Sequence, residues 1–194
     1  MRETRTIVQA TMLLMLLGTA ALVRAQSSHA GSGGSEQAYC TATGGLVETR
    51  RAVFGTNNPP QDWLPLAAVE DFCQYTASDG SRIHLSLLTL TTAQPTLAAL
   101  AYYAQVPWNG QGNGNPASFY CTQLGGAEIG ATNAAGGAWV SKGGIDQLLE
   151  ACIFPDNSTI DSWGLLYHSQ NITRGIDLSL VLRYPNPNPP KAGT

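Results

Sequence analysis

The chain has 194 residues and a formal net charge of −3 at pH 7, and only 12% of its residues are charged, against roughly a quarter in ordinary domains. No basic patch is visible that would favour nucleic acid or an anionic membrane surface as a partner. One compact domain or two small ones fit a chain of this length.

The first residues have the pattern of a secretory signal. Arg2 and Arg5 precede an apolar run over residues 10–23, which is followed by a small residue at the expected cleavage point. Because the run is shorter than the ~20 apolar residues that span a bilayer, we favour a signal over a membrane anchor. We predict a signal peptide over 1–25, a flexible Ser/Gly-rich leader over 26–34, and export to the periplasm or the medium.

One stretch of sequence occurs twice. Residues 115–126 read Asn-Pro-Ala-Ser-Phe-Tyr-Cys-Thr-Gln-Leu-Gly-Gly, and 35–45 contain the same Tyr-Cys-Thr, two free positions and Gly-Gly, 81 residues earlier. The leading Asn-Pro suits a helix N-cap and the first helical position, where no amide donor is needed. Apolar positions then recur on one helix face. We predict helices over 116–124 and 36–43, each with a cysteine on its buried side.

Each predicted helix is followed by two segments with the pattern of strands. The first strands are predicted at Leu46–Phe54 and Ala127–Thr132, and the second at Val69–Tyr75 and Leu148–Phe154. Each second strand carries a cysteine, with an acidic residue two positions before it and an aromatic residue two positions after it. The two copies therefore match best around this second cysteine.

The two copies differ in the segment that comes next. Ser158-Thr-Ile-Asp161 has the spacing of a capping box and predicts a helix over about 159–167. In the first copy, Arg82–Leu90 fits a strand or a helix, and only the analogy with the second copy favours the helix. Apolar segments at Leu97–Tyr103 and Leu178–Tyr184 then close each copy, and both have plausible helix starts.

These elements predict an α+β protein built from two tandem repeats. Each repeat has an N-terminal helix packed on a small antiparallel sheet, with one or two further helices. The units are predicted at 35–107 and 115–184, joined by a linker over 108–114. The Pro-rich end, 185–194, is predicted to be an extended tail.

Four cysteines in an exported chain indicate disulfides. The repeat selects one of the three pairings, Cys40–Cys73 and Cys121–Cys152, in which each bridge joins the first helix of a unit to its second strand. A zinc site is the alternative, but it would need four ligands brought together across the copies and no Cys-x-x-Cys is present. Each bridge closes a loop of about 30 residues, which corresponds to at most about 4 kcal/mol in the chain-entropy model.

Part of the chain resembles a known family. The stretch 115–126, the later Cys152-Ile-Phe-Pro-Asp-Asn-Ser158 and Trp163 are similar to a small bacterial exported domain of unknown function, whose members are often labelled haemolysins. The resemblance is good from Asn115 to about Tyr167 and looser over the first copy. Many members carry two further cysteines around and after the tryptophan, and this chain has none there. The resemblance implies an exported bacterial protein and no established activity.

Residues that could carry chemistry are sparse. His29 falls in the predicted leader, and His84 and His168 occupy different positions of their repeats, so they are not one duplicated catalytic position. Asp79 and Asp156 head turns, where such a side chain commonly caps the local backbone. The sequence has no Gly-x-Ser-x-Gly elbow, phosphate-binding loop or His-Glu-x-x-His helix. We therefore assign no catalytic residue, no metal ligand and no cofactor.

We expect a non-catalytic exported binding or structural module that recognises a protein or a cell-surface glycan, at a site that the sequence does not identify. The alternative is a weak secreted hydrolase that uses Asp156 and His168. A second alternative is the membrane-lytic role that the family label suggests. Stable membrane insertion is not expected, because the mature chain has no long apolar or amphipathic segment.

Overall fold

The structure is a computed structural model that describes residues 33–130, 133–141 and 147–189. The predicted signal peptide, nearly all of the leader and the end of the tail lie outside the described residues. None of the described helices is long and apolar enough to cross a bilayer.

The described part of the chain contains five α-helices and two short 3-10 turns. The helices are α1 (Gly33–Ala42), α2 (Leu87–Thr91), α3 (Leu97–Ala104), α4 (Pro116–Gln123) and α5 (Ser162–Ser169). The 3-10 turns are Pro60–Asp62 and Leu178–Leu180. At the start of α4 the side chain of Asn115 accepts a hydrogen bond from the Ala117 amide at 3.0 Å, as its sequence predicts.

The strands of the described residues form one antiparallel sheet. They are β1 (Leu46–Phe54), β2 (Leu64–Thr76), β3 (Arg82–Ser86), β4 (Gly137–Val140), β5 (Leu148–Leu149), β6 (Ala151–Ile153) and β7 (Thr159–Asp161). Their order across the sheet is β5-β4-β1-β2-β3-β7-β6.

The sheet closes almost completely into a barrel. Its two edge strands, β5 and β6, are consecutive in the chain and are separated only by Glu150. The same short segment therefore pairs with β4 through its first half and with β7 through its second half. The Glu150 carbonyl also accepts a hydrogen bond from the Ser162 amide at 3.0 Å, which ties the segment to the start of α5.

The prediction of an α+β protein is confirmed, but the small separate sheet expected for each repeat does not form. Strand β3 pairs with β7, in the register Leu85 opposite Ile160, so residues from 35–107 and from 115–184 share one sheet. Sharing the sheet pairs backbone groups that two small sheets would leave at open edges.

Side chains on the two faces of the barrel form two separate cores. The inner core is small, and the rings of Phe72 and Trp139 meet there edge to face with centroids 5.4 Å apart. The outer core is larger and lies between the barrel and the helices, where Leu85, Ile160 and Tyr102 are almost fully buried. Where both cores meet the sheet, both faces of the strands are covered. The first half of β2, residues 64–69, is exposed, and Glu70 and Gln74 on the inner face are half-buried.

The structure contains two disulfides, Cys40–Cys73 and Cys121–Cys152, the pairs that the repeat spacing predicts. One joins α1 to β2 and the other joins α4 to β6. Each lies in the outer core, where all four sulfur-bearing residues are buried. The described residues contain no free cysteine.

The Gly-Gly pair after each helix has a physical role at both positions. The first glycines, Gly44 and Gly125, have φ angles of 89° and 85°, a left-handed conformation that other residues rarely adopt. At the second glycines, a Cβ on Gly45 would lie 2.2 Å from the Cys73 sulfur, and one on Gly126 would lie 2.3 Å from the Cys152 sulfur. Only glycine fits this close against the disulfide.

The helix that we predicted over 159–167 begins later, at Ser162. Residues Thr159–Asp161 pair as β7 instead, and the side chain of Asp161 caps α5 by accepting from the Gly164 amide at 2.8 Å. The prediction of Ser158 as the cap was wrong, because its hydroxyl donates to Asp156 and accepts from the Ala98 amide.

Four other predicted elements also differ from the structure. The preference for a helix over Arg82–Leu90 was wrong for its first half, which is strand β3 before α2 begins. The strand predicted over Leu148–Phe154 is interrupted at Glu150. The segment Leu178–Tyr184 forms only a 3-10 turn. Of the strand predicted over Ala127–Thr132, Ala127 makes an isolated bridge with Ile153, and residues 131–132 lie outside the described part.

Candidate functional site

Polar side chains occupy alternate positions on the inner face of the barrel. Cross-strand partners share a face of the sheet, and the register places Arg50 opposite Glu70 and Gln74 opposite His84. These side chains fall into two groups. We call Glu48, Arg50, Gln74, His84 and Asp161 the His84 cluster. We call the space beside Glu70 the Glu70 cavity.

The His84 cluster is built around a buried ion pair. The Arg50 side chain is 0% exposed, and its Nε donates to the Glu48 carboxylate at 3.0 Å while Nη2 contacts the same oxygen. Its Nη1 lies 3.4 Å from the carbonyl oxygen of Trp139. A buried guanidinium needs such partners, because leaving it unpaired would be costly.

His84 is held from both sides of its ring. Its Nδ1 lies 3.5 Å from Asp161 Oδ2, and its Nε2 lies 3.0 Å from Gln74 Oε1. The residue is 2% exposed. A general base needs a ring nitrogen that can reach a substrate proton. Because both nitrogens of His84 have protein partners, its contacts are those of a structural histidine.

A small cleft of about 240 Å³ lies beside the His84 cluster. Its lining includes Arg82, Arg174, Glu150 and Trp163. The Glu150 carboxylate accepts hydrogen bonds from the Trp163 indole and from the Asn115 amide, both at 2.7 Å. The Glu150 carboxylate in this cleft is therefore already bonded to protein donors.

The Glu70 cavity is three times as large, at about 720 Å³. Six of its lining residues are apolar: Ala68, Val69, Leu87, Leu88, Trp139 and Ile153. The polar ones are Glu36, Glu70, Asp71, Asn157 and Thr159. The lining therefore combines apolar walls with three carboxyl groups, and none of the described residues that line it is basic.

The opening exists because two neighbouring strands differ in length. Strand β3 pairs only with the stretch Phe72–Thr76 of β2, since the chain turns into α2 after Ser86, whose hydroxyl accepts from the Thr89 amide at 3.3 Å. The first half of β2 continues without that partner, and the cavity lies beside it. The cap of a short helix thus determines where the barrel opens.

Glu70 is the titratable group with the clearest perturbation in this cavity. Burial raises its pKa to about 7, although hydrogen bonds from Thr159 and Ser86 lower it, and the negative charge of Asp71 raises it further. The Thr159 hydroxyl lies 3.3 Å from the carboxylate. Nearby, Trp139 is 4% exposed, and its indole nitrogen has no hydrogen-bond partner within the described residues.

The structure places the two residues of the hydrolase alternative in separate structural contacts. Asp156 accepts from the Leu97 amide at 2.7 Å at the first turn of α3. Burial alone would raise the pKa of Asp156, but hydrogen bonds from Ser158 and Leu97 hold it below its usual value. His168 stacks on Tyr102, near the other end of α3, with ring centroids 3.7 Å apart, and burial lowers its pKa.

Sequence reasoning did not identify Glu70 as a site residue, and it considered His84 without placing it in a buried polar cluster. A signal for them is present, because Glu48-x-Arg50, Glu70-x-Phe72-x-Gln74 and Arg82-x-His84-x-Ser86 alternate with residues that face the outer core. Alternation of this kind on three strands marks a polar inner face. The described residues contain no group of three or more His, Cys, Asp or Glu that could hold a metal ion.

Fold and cavity together define a small α+β protein, with a nearly closed antiparallel barrel, two disulfides and an acidic, largely apolar cavity at one end. Residues 112–169 match the family model described as Domain of unknown function (DUF333). The matched part runs from just before α4 to the end of α5. No curated protein and no solved structure gives a significant match.

Proposed function

We propose that this protein is an exported, non-catalytic binding module that holds a small ligand in the Glu70 cavity. The observation that carries the proposal is a carboxyl group with a pKa of about 7 inside a cavity with mostly apolar walls. Ligand pockets are typically apolar, about 300–1,000 Å³ in volume, with a few polar groups that fix orientation. Strongly perturbed titratable groups in such cavities are candidates for functional sites.

The apolar walls of the Glu70 cavity are a poor match for the glycan or protein partner that we expected. A glycan presents hydroxyl groups on most sides, whereas Leu87, Leu88 and Val69 offer it no hydrogen bonds. The smaller cleft beside the His84 cluster is more polar, but Glu150 there is already bonded to Trp163 and Asn115. The geometry therefore favours a small ligand with an apolar part over a glycan or a folded protein.

Export rests on two independent features. The N-terminal sequence has the pattern of a signal peptide, and both disulfides are of the kind that persists in oxidising compartments. No observation on the described residues favours the hydrolase alternative or the lytic one. Release of dye from liposomes by the purified protein would support the lytic alternative.

We also infer that residues 35–107 and 115–184 are two copies of one ancestral module. The equivalent disulfides and the equivalent contacts of Gly45 and Gly126 support it. The strand pairing supports it too. In the first copy Leu46 pairs with Gln74, and the equivalent residues of the second copy, Ala127 and Ile153, also pair with each other. In this view the copies joined through β3 and β7 into a single barrel.

Filling the cavity tests the proposed function. Ala68 lines the cavity and its neighbour Ala67 does not, so Ala68→Phe and Ala67→Phe form a matched pair on one exposed stretch of strand. The probe is the neutral fluorescent compound N-phenyl-1-naphthylamine, whose emission rises in apolar surroundings. We expect the wild type and Ala67→Phe to bind it, and Ala68→Phe to bind at least tenfold more weakly. Equal binding by all three proteins, or by none, would refute the proposal.

A further inference from the structure

The charge of the Glu70 cavity indicates the chemical class of its ligand. Three of its lining residues, Glu36, Glu70 and Asp71, carry carboxyl groups, and the described lining residues include no lysine, arginine or histidine. The nearest cation in the sheet register is Arg50, opposite Glu70 on β1. Its guanidinium is bonded to Glu48 and to the carbonyl of Trp139.

The raised pKa of Glu70 agrees with the position of Arg50, whose guanidinium is bonded to Glu48 and to the carbonyl of Trp139. A cation within a few ångströms lowers the pKa of a carboxyl group, whereas burial raises it. For Glu70 burial dominates and the pKa is raised to about 7. None of the described residues that line the cavity carries a positive charge that could pair with an ionised Glu70, and a cationic ligand group beside it would supply that partner.

The remaining walls suit an apolar body attached to that cation. Leu87, Leu88 and Ile153 offer apolar contact, and Trp139 adds an aromatic ring, which attracts both apolar groups and cations.

We propose that the Glu70 cavity selects ligands in which an ammonium group is attached to an apolar chain or ring, with the ammonium against Glu70. This rests on the proposed function, because it assumes that the cavity is the ligand site. The lining explains the selection: an alcohol of the same shape gains the apolar contacts but not the ion pair, and a fatty acid meets three like charges.

Binding of such a cation is linked to the ionisation of Glu70. Thr159 from β7 and Ser86 from β3 bond to Glu70, the charge of Asp71 acts on it from the other face of β2, and Arg50 lies opposite it on β1. Glu36 from α1 lines the same cavity, and none of these residues is a histidine. Below pH 7 Glu70 must lose a proton before it can pair with an ammonium group. Affinity should therefore rise on the order of tenfold between pH 6 and pH 8, with proton uptake by the buffer at pH 7.

The test compares n-octylamine with 1-octanol, which has the same chain and no charge, by titration calorimetry at pH 6, 7 and 8. The variant is Glu70→Gln, which keeps the shape of the neutral carboxyl group and is expected to fold. The control is Asp62→Asn, which removes a carboxylate from the exposed 3-10 turn at Pro60–Asp62, away from the cavity.

We expect the wild type and Asp62→Asn to bind octylamine at least tenfold more tightly than octanol at pH 8. In Glu70→Gln the preference and its pH dependence should both disappear. Equal affinity for the two compounds in the wild type, or a preference that persists in Glu70→Gln, overturns the proposed ligand class while leaving a binding cavity. The dye experiment with Ala68→Phe and Ala67→Phe tests the proposed function separately, and its failure overturns both proposals.

Discussion

Single residues explain why the repeated Tyr-Cys-Thr stretch ends in two glycines. Gly45 and Gly126 each face a disulfide, at distances where a Cβ would overlap a sulfur atom. Overlap in a packed interior forces neighbouring groups to shift, which typically costs about 1–3 kcal/mol. The glycines are thus required by the cross-links and not by chain flexibility alone.

Substitution of Gly45 by alanine tests this explanation. We expect Gly45→Ala to lower the free energy of unfolding by about 1–3 kcal/mol, because the added methyl group meets the Cys73 sulfur. Gly34→Ala in α1 is the control, since a Cβ there meets nothing within 4 Å, and it should change stability by about 1 kcal/mol or less. Urea unfolding measures both. A Gly45→Ala protein as stable as the wild type would contradict the account.

At Glu70, the raised pKa has a consequence for stability. A carboxyl group whose pKa is higher in the folded state binds its proton more tightly there, so it favours folding at low pH and this contribution is lost as pH rises from about 4.5 to 7. The Glu70→Gln protein has no ionisable group at this position, so its stability should not fall for this reason as the pH rises. Burial lowers the pKa of His168, and this makes the protein more stable as the pH rises through part of the same range. The effect of Glu70 is therefore measured as the difference in stability between Glu70→Gln and the wild type.

The measurement for this prediction is the midpoint of urea unfolding at pH 5, 6, 7 and 8. The stability of Glu70→Gln relative to the wild type should increase from pH 5 to pH 7 and level off towards pH 8. A constant difference between the two proteins would mean that Glu70 ionises as an ordinary exposed carboxyl group.

At the scale of helices and strands, the sequence predicted correctly those elements that are determined by contacts between residues close in the chain. The helix at 116–124, the strand at Leu46–Phe54 and the pairing of the four cysteines follow from caps, alternation and spacing, and the structure contains all of them. The predictions failed where a neighbour in space decides the outcome. Thr159–Asp161 is a strand because β3 and β6 lie on either side of it, and no local pattern distinguishes this from a helix start.

Asp161 links the last strand to the last helix, and two substitutions separate its contacts. Asp161→Ala removes the acceptor for the Gly164 amide and the charge beside His84, whereas Asp161→Asn keeps an acceptor and removes only the charge. We expect Asp161→Ala to cost about 1 kcal/mol in urea unfolding and Asp161→Asn to cost clearly less. Equal losses would show that the charge, and not the cap, is what stabilises this junction.

At the scale of the whole molecule, the site depends on how the barrel closes. Glu70 and Thr159 are 89 residues apart in the chain, and their contact exists only because β2, β3 and β7 are neighbours in one sheet. The sequence marks each strand's polar face, but the register between the two halves sets which polar groups meet. For this reason the composition of the inner face could be predicted, while the Glu70 cavity could not.

The four tryptophans lie in four different parts of the structure, so their indole N–H signals can show which part a ligand contacts. Trp139 lines the Glu70 cavity, Trp163 lines the cleft beside the His84 cluster, Trp108 packs against the outer core and Trp63 bonds to the carbonyl of Asn58. The measurement is the set of indole N–H resonances in a ¹⁵N-labelled sample titrated with octylamine at pH 8. We predict that the Trp139 resonance shifts and saturates while the other three stay in place, and that at least tenfold more octylamine is needed to saturate the shift in Glu70→Gln. A shift of Trp163 instead of Trp139, or no shift at all, would contradict the account.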